Sequence, residues 1–278
     1  MPLNARRHIR KMRGGAQSHL IEADDGNYYV VKFLNNPQHR RILVNELIAG
    51  VFAQYLQIAT PETAIISVSP GFVAENPEVS IQLGSRSIPV SPGWHFGSRF
   101  PGDPARVAVY DYLPDALLRQ VANADHFLAV LVLDKWLSNA DGRQSVYFRA
   151  RIQDWDPRAA VHPRQLGFVA CMIDQGFVFN GPNWEFVDAP LLGLAPRLAV
   201  YERVCSLESF QPWLDQVVGF PEHVVDKALS QVPAQWFDGD EEALERLLEQ
   251  LMRRRARVPD LLLDCRRARI DLFPNWNG

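Results

Sequence analysis

The chain has 278 residues, more than the roughly 100 to 200 of a usual domain, so it suits one large domain or two closely packed lobes. Its 47% hydrophobic and 22% charged composition is that of a globular protein with a core. A formal net charge of −3 gives no long-range field to gather nucleic acid or an anionic membrane, so neither is expected as a partner and any phosphate site must be local.

No run of about 18 apolar residues suggests a membrane span. The N-terminal MPLNARRHIRKMR is basic but has no apolar segment behind it, which argues against a secretory signal. Cys171, Cys205 and Cys265 lie far apart in no CxxC pattern, as expected of reduced thiols in a cytoplasmic protein without a zinc site.

In chain order, RGGAQS (13–18) turns into a strand over 18–23, and a second strand covers 28–33. Asp24, Asp25, Gly26 and Asn27 join them as a hairpin. NNPQHRRILVNELIAGVFAQYL then offers an asparagine cap, Pro37 in the first turn, and apolar Leu43, Val44, Leu47, Ile48, Val51, Phe52 and Tyr55 at the spacing of an amphipathic helix. Thr60-Pro61 ends it, and TAIISV (63–68) reads as a strand. Residues 70–105, rich in Pro, Gly and Ser, are expected to hold short strands and loops.

RVAVYDYLP (106–114) is strand-like and breaks at Pro114, the expected boundary between a mostly β N-lobe (1–114) and a mostly α C-lobe (115–278) in an α+β, two-lobed chain. Asn123 or Asp125 is placed to cap a helix through HFLAVLVLDKWL, whose nearly continuous apolar character implies burial on most sides. Two strands are expected over 146–152 and 166–173, the second running into Asp174-Gln175-Gly176. From about Leu198 the chain looks helical, most clearly over Glu241 to Val258.

Five features stand in order: Gly14-Gly15 before a strand, Lys32 in a strand, Glu46 in the next helix, Asp141 in the polar loop SNADGRQS, and Asp174 at a strand end. Each alone has a commoner explanation: a turn for the glycines, a solvent-facing lysine, a helix-surface carboxylate, and turns at Asp141-Gly142 and Asp174. Together they supply the roles of phosphoryl transfer. A glycine loop lets backbone N–H groups reach phosphates. A lysine held by a helix carboxylate neutralises their charge, one aspartate receives or orients the acceptor hydroxyl, and a second holds Mg²⁺.

The segments GGAQS, YYVVKF, NELIAG, SNADGR and MIDQGF resemble the HipA-like kinases, relatives of the phosphatidylinositol 3- and 4-kinases within the wider protein-kinase-like fold. The resemblance implies ATP and Mg²⁺ as cofactors, Asp141 as the catalytic aspartate with Lys32 and Arg143 offsetting charge around the phosphates or the loop, and Asp174 as the principal metal ligand. It also implies a hinge near 110–113, with Tyr110 and Tyr112, whose backbone would bond the adenine. The family pattern has arginine directly after the aspartate and a metal-binding asparagine five residues beyond it. Here Gly142 intervenes and the fifth residue is Val146. Either Gln144 or Ser145 supplies the oxygen, Gln144 being the nearest substitute for asparagine, or the second metal contact is lost. The implied function is transfer of a γ-phosphoryl to a hydroxyl acceptor, a protein serine or threonine first. The alternative is a nucleotide-binding pseudokinase serving as an interaction module.

RRRAR (253–257) is expected to favour a helix C-terminus and face water. In FVFNGPNWEF, Asn180 and Trp184 are candidates for acceptor contacts, although packing explains the aromatics more simply. The histidines form no HExxH pattern.

Overall fold

The computed structural model describes residues 1–276. The hairpin forms as the turn residues require: β2 (His19–Ala23) pairs antiparallel with β3 (Tyr28–Lys32). β1 (Leu3–Lys11), which the basic N-terminus did not announce, joins β2 and closes a barrel by parallel pairing with β4 (Thr63–Val68), the strands running in the order β1, β2, β3, then Gly93–Arg99 (β7), then β4. The charged side chains of β1 stay largely in solvent, so no apolar alternation marks it. Between β4 and β7 (Gly93–Arg99) the Pro- and Gly-rich stretch supplies α2 (Pro70–Glu75) and a small hairpin, β5 (Ser80–Leu83) with β6 (Arg86–Pro89). Phe72, Val79, Ile81 and Val90 from this insert pack with Ile21, Val31, Phe33 and Ile66 of the barrel.

α1 (Arg41–Tyr55) begins later than expected. Asn36 does not cap it; its amide nitrogen donates to the Phe33 and His39 carbonyls and its oxygen accepts from Gln38 N–H, so it shapes the turn before the helix. Nor is α1 amphipathic, since twelve of its fifteen residues are buried. Segment 106–114 is not a strand either. It is irregular except for one two-way bridge between Tyr110 and Tyr147, because Asp103, Pro104 and Pro114 confine it to a short extended link.

After the short α3 (Asp115–Leu118) comes α4 (His126–Leu137), buried along its whole length. Neither expected cap is used: Asp125 makes no side-chain cap bond, and Asn123 instead exchanges two 2.8 Å bonds with the backbone of Ala170. β8 (Gln144–Arg151) and β9 (Leu166–Ile173) form an antiparallel pair, with α5 (Ile152–Trp155) in their connection. The remainder is helical: α6 (Leu198–Tyr201), α7 (Trp213–Val218), α8 (Glu222–Gln231), α9 (Glu241–Arg254) and α10 (Val258–Ala268). The RRRAR run only partly faces water. Arg254 is buried, ion-paired with Asp188 and donating to the Trp136 carbonyl at 3.0 Å. Among the described residues no helix is long and apolar enough to cross a membrane.

Candidate active site between the barrel and the helical half

Strand periodicity decides which way Lys32 points. Tyr29, Val31 and Phe33 fill the barrel, so Val30 and Lys32 face the other side, toward a cleft. The ammonium is buried, ion-paired with Glu46 of α1 and donating to Asp174 Oδ1 at 2.7 Å. Residues 142 positions apart in sequence thus meet at one nitrogen. Burial alone would lower the lysine pKa, but the two carboxylates outweigh it and hold it above the ordinary lysine range. Burial raises Glu46. Asp174 is also pushed up by burial, yet Lys32 overcomes this and holds it below the ordinary aspartate range.

The β8–β9 register brings the second set of groups together. Gln144 pairs with Ile173, so Asp174 leaves β9 at the point where the Asp141 loop enters β8. Asp174 adopts φ +61°, turning the chain so that Gln175 N–H reaches Glu46 Oε2 at 3.1 Å. In the polar loop, Asp141 is exposed, its Oδ1 accepting from Gly142 N–H at 2.8 Å and its carbonyl from Gly193 N–H at 3.1 Å. Gln144 donates from its amide nitrogen to Asp141 Oδ2 at 3.2 Å, which leaves its carbonyl oxygen for the cleft it lines.

Arg143 turns the other way. Its guanidinium is buried beneath the loop, held in a forked pair by Asp134 and donating to the Ile173 carbonyl (2.8 Å) and Gln175 Oε1 (2.9 Å). Its place is therefore under the loop, not among phosphates. Asn139 adds a 3.0 Å bond to Asp134, so the aspartate of α4 anchors both ends of the loop.

The cleft measures about 660 Å³, and Gly14, Lys32, Glu46, Asp111, Gln144 and Asp174 are among its walls. Gly14, at φ +119°, lines it; a side chain there would be strained. Gly15 does not line it, and packs where an added Cβ would come 2.8 Å from the Gln38 amide. The hinge expectation needs correction at Tyr110. Its N–H and C=O are both bonded to Tyr147 at 2.8 Å and so cannot serve an adenine. The neighbours Val109 and Asp111, on either side of that bridge, both line the cleft. The side chains of Tyr110 and Tyr112 are 47% and 64% exposed, the latter stacked on Arg197, and neither lines the cleft.

Among the described residues no cluster of three or more His, Cys, Asp or Glu side chains forms a complete metal cage. The donor set nevertheless fits a hard cation that brings its own oxygens. Lys32 donates to Asp174 Oδ1, Asp174 borders the cleft, and the Gln144 side chain borders the same cleft. Trp184 proves to be buried, its Nε1 donating to Asn45 Oδ1 at 2.8 Å, so it is not an acceptor contact; Asn180 is tied to Glu185. Asn45 and Asp134 escaped the sequence reading. A buried aspartate inside the apolar run of α4 was the one available signal.

The family model of the HipA-like kinases matches residues 7–147. Among solved structures, the Golgi casein kinase overlaps with a TM-score of 0.51 at 15% identity, over 96% of this chain and 74% of that one. The structure of hydra Fam20 with sugar overlaps with a TM-score of 0.52 at 14% identity, over 96% of this chain and 85% of that one. At these identities the likeness shows the fold, which is protein-kinase-like and mixed in helix and strand. No curated protein matches the sequence.

Proposed function

The chain belongs to the HipA-like kinase family, and from that premise we propose that this kinase uses ATP and Mg²⁺ to phosphorylate a hydroxyl, a protein serine or threonine first. In this reading the chain divides near residue 114 into two lobes, with ATP between them. The observation that supports it most is the buried Lys32 bonded at once to Glu46 and Asp174. An isolated buried ammonium would be costly, and one shared by two carboxylates is fixed in place to meet phosphate oxygens.

The site residues take these parts. Gly14 leaves room for backbone N–H groups beside the phosphates. Asp174 and the Gln144 carbonyl would hold the metal, which would supply positive charge to offset that of the phosphates. Asp141, exposed and bonded to the cleft-lining Gln144, orients the acceptor hydroxyl and takes its proton as the oxygen bonds to the γ-phosphorus and the β–γ bridging bond breaks, releasing ADP. Lys32 offsets phosphate charge, while Arg143 supports the loop from below. The free cysteines support a reducing, cytoplasmic setting.

Purified protein with γ-labelled ATP tests the reading. Asp141→Asn should slow transfer by about 100-fold or more, and equal activity in the two proteins sinks the assignment. Gly142 and the lack of the downstream asparagine favour one second reading, a pseudokinase. Thermal stabilisation by Mg-ATP without turnover selects it.

A further inference from the structure

We propose that Asn45 is a positioning residue for phosphoryl transfer, locking the segment after Asp174 onto α1 so that Glu46 and Asp174 move as one body. The proposal rests on the kinase reading of the cleft. Asn45 is fully buried on α1, immediately before Glu46. Its Nδ2 donates to the carbonyls of Gly176 (2.8 Å), Val178 (3.0 Å) and Gly181 (3.0 Å), and its Oδ1 accepts from Trp184 Nε1 at 2.8 Å.

Every one of those partners belongs to the segment that continues from Asp174. That segment is backbone of unfavourable shape: Phe179, Asn180 and Trp184 all take left-handed φ, at +58°, +56° and +54°. Conformations of this kind are costly and persist only where the surroundings hold them. Asn45 supplies the hold, because three carbonyls converge on its single amide nitrogen. Aspartate would set a carboxylate against those carbonyls, and leucine would leave them and the indole N–H buried without partners.

Arg41 and Ile42, in the first turn of α1, touch the same segment. At Gly176 an added Cβ would come 2.6 Å from Ile42 Cγ2, so the Ile42 side chain packs directly against the Gly176 backbone. The Arg41 guanidinium lies 4.3 Å from the Trp184 ring, donates to the Pro182 carbonyl at 2.8 Å, and pairs with Asp240 before α9. Glu46 Oε2 accepts from Gln175 N–H, so adjacent residues of α1 grip the segment on both sides of Gly176. The carboxylate that holds Lys32 and the carboxylate placed for the metal are therefore braced by one side-chain amide.

Asn45→Asp and Trp184→Phe are compared with Leu251→Ala, a core variant of α9, at a temperature where all are folded. The readout is calorimetric ADP binding with and without Mg²⁺. We expect Asn45→Asp to change metal-free ADP affinity by less than about 2-fold and to lose at least about 10-fold of the gain that Mg²⁺ confers. Trp184→Phe, which removes only one donor, should lose less, and Leu251→Ala should keep the gain. An unchanged Mg²⁺ gain in both site variants overturns the proposal. Amide hydrogen exchange gives a nucleotide-independent arm: loss of Asn45, or of its Trp184 partner should Asn45→Asp not fold, should loosen residues 42–52 and 175–187 together. Loosening of one alone overturns the lock, whereas wild type that binds no ADP, yet loosens in both regions on substitution, fails the kinase reading and not the lock.

Discussion

Arg143 stands two residues from Asp141, yet its guanidinium turns away from the cleft to Asp134. A loop residue met in sequence beside a candidate catalytic aspartate invites a phosphate-facing role; the buried partner nine positions earlier, hidden inside an apolar helix, reverses its direction. Arg143→Ala leaves the Asp134 carboxylate buried without a counter-charge. It should cost about 3 to 5 kcal/mol in chemical denaturation. Arg143→Lys should fall between, since an ammonium cannot reproduce the fork. Gln144→Ala tests the metal side: the Mg²⁺ concentration for half-maximal activity should rise roughly 10-fold with little change in stability. Lys32, Glu46 and Asp174 could be picked out by their order along the chain, in a strand, in the next helix and at a strand end. Asn45 could not, because nothing local says that an asparagine on a buried helix will meet carbonyls more than a hundred residues away.

At the scale of elements, the hairpin, β4 and β9 could be read from alternation and turn residues, and they form where expected. β1 could not, since its arginines keep their heads in water while its backbone closes the barrel. The 106–114 link misled because β-branched and aromatic residues there pack against neighbours without pairing along a sheet.

The barrel also holds buried imidazoles with no role in the cleft. His19 and His95 are fully buried, each with an unpartnered Nε2, and burial lowers both from 6.5 to about 4, with His8 adding to the effect at His19. The unfolded chain takes up protons at these groups below about 6.5, whereas the folded one does not until about 4. Their stability contribution is thus present above 6.5 and lost as pH falls toward 4; a displacement of this size corresponds to on the order of 3 kcal/mol per group. Melting temperature should drop across that interval, and the drop should be shallower in His95→Gln, whose side-chain oxygen can still accept from Leu34 N–H as the ring does now. An identical pH profile would place the acid sensitivity elsewhere.

For the whole molecule, the cleft depends on how the barrel and the helical half are joined. α1 packs between them, Arg41 bonds Asp240, and Trp236 Nε1 reaches the Trp94 carbonyl at 2.9 Å. These contacts join residues far apart in sequence, which is why the pattern of elements did not announce how the barrel and the helical half meet. In the function proposed above, the cleft takes a nucleotide with a divalent metal held by Asp174. Calorimetric titration with a non-hydrolysable ATP analogue, with and without Mg²⁺, tests it in wild type and Asp174→Asn. Mg²⁺ should tighten wild-type binding by at least about 10-fold and do little for the variant. Binding that ignores the metal in wild type, or keeps its full metal dependence in Asp174→Asn, would contradict it.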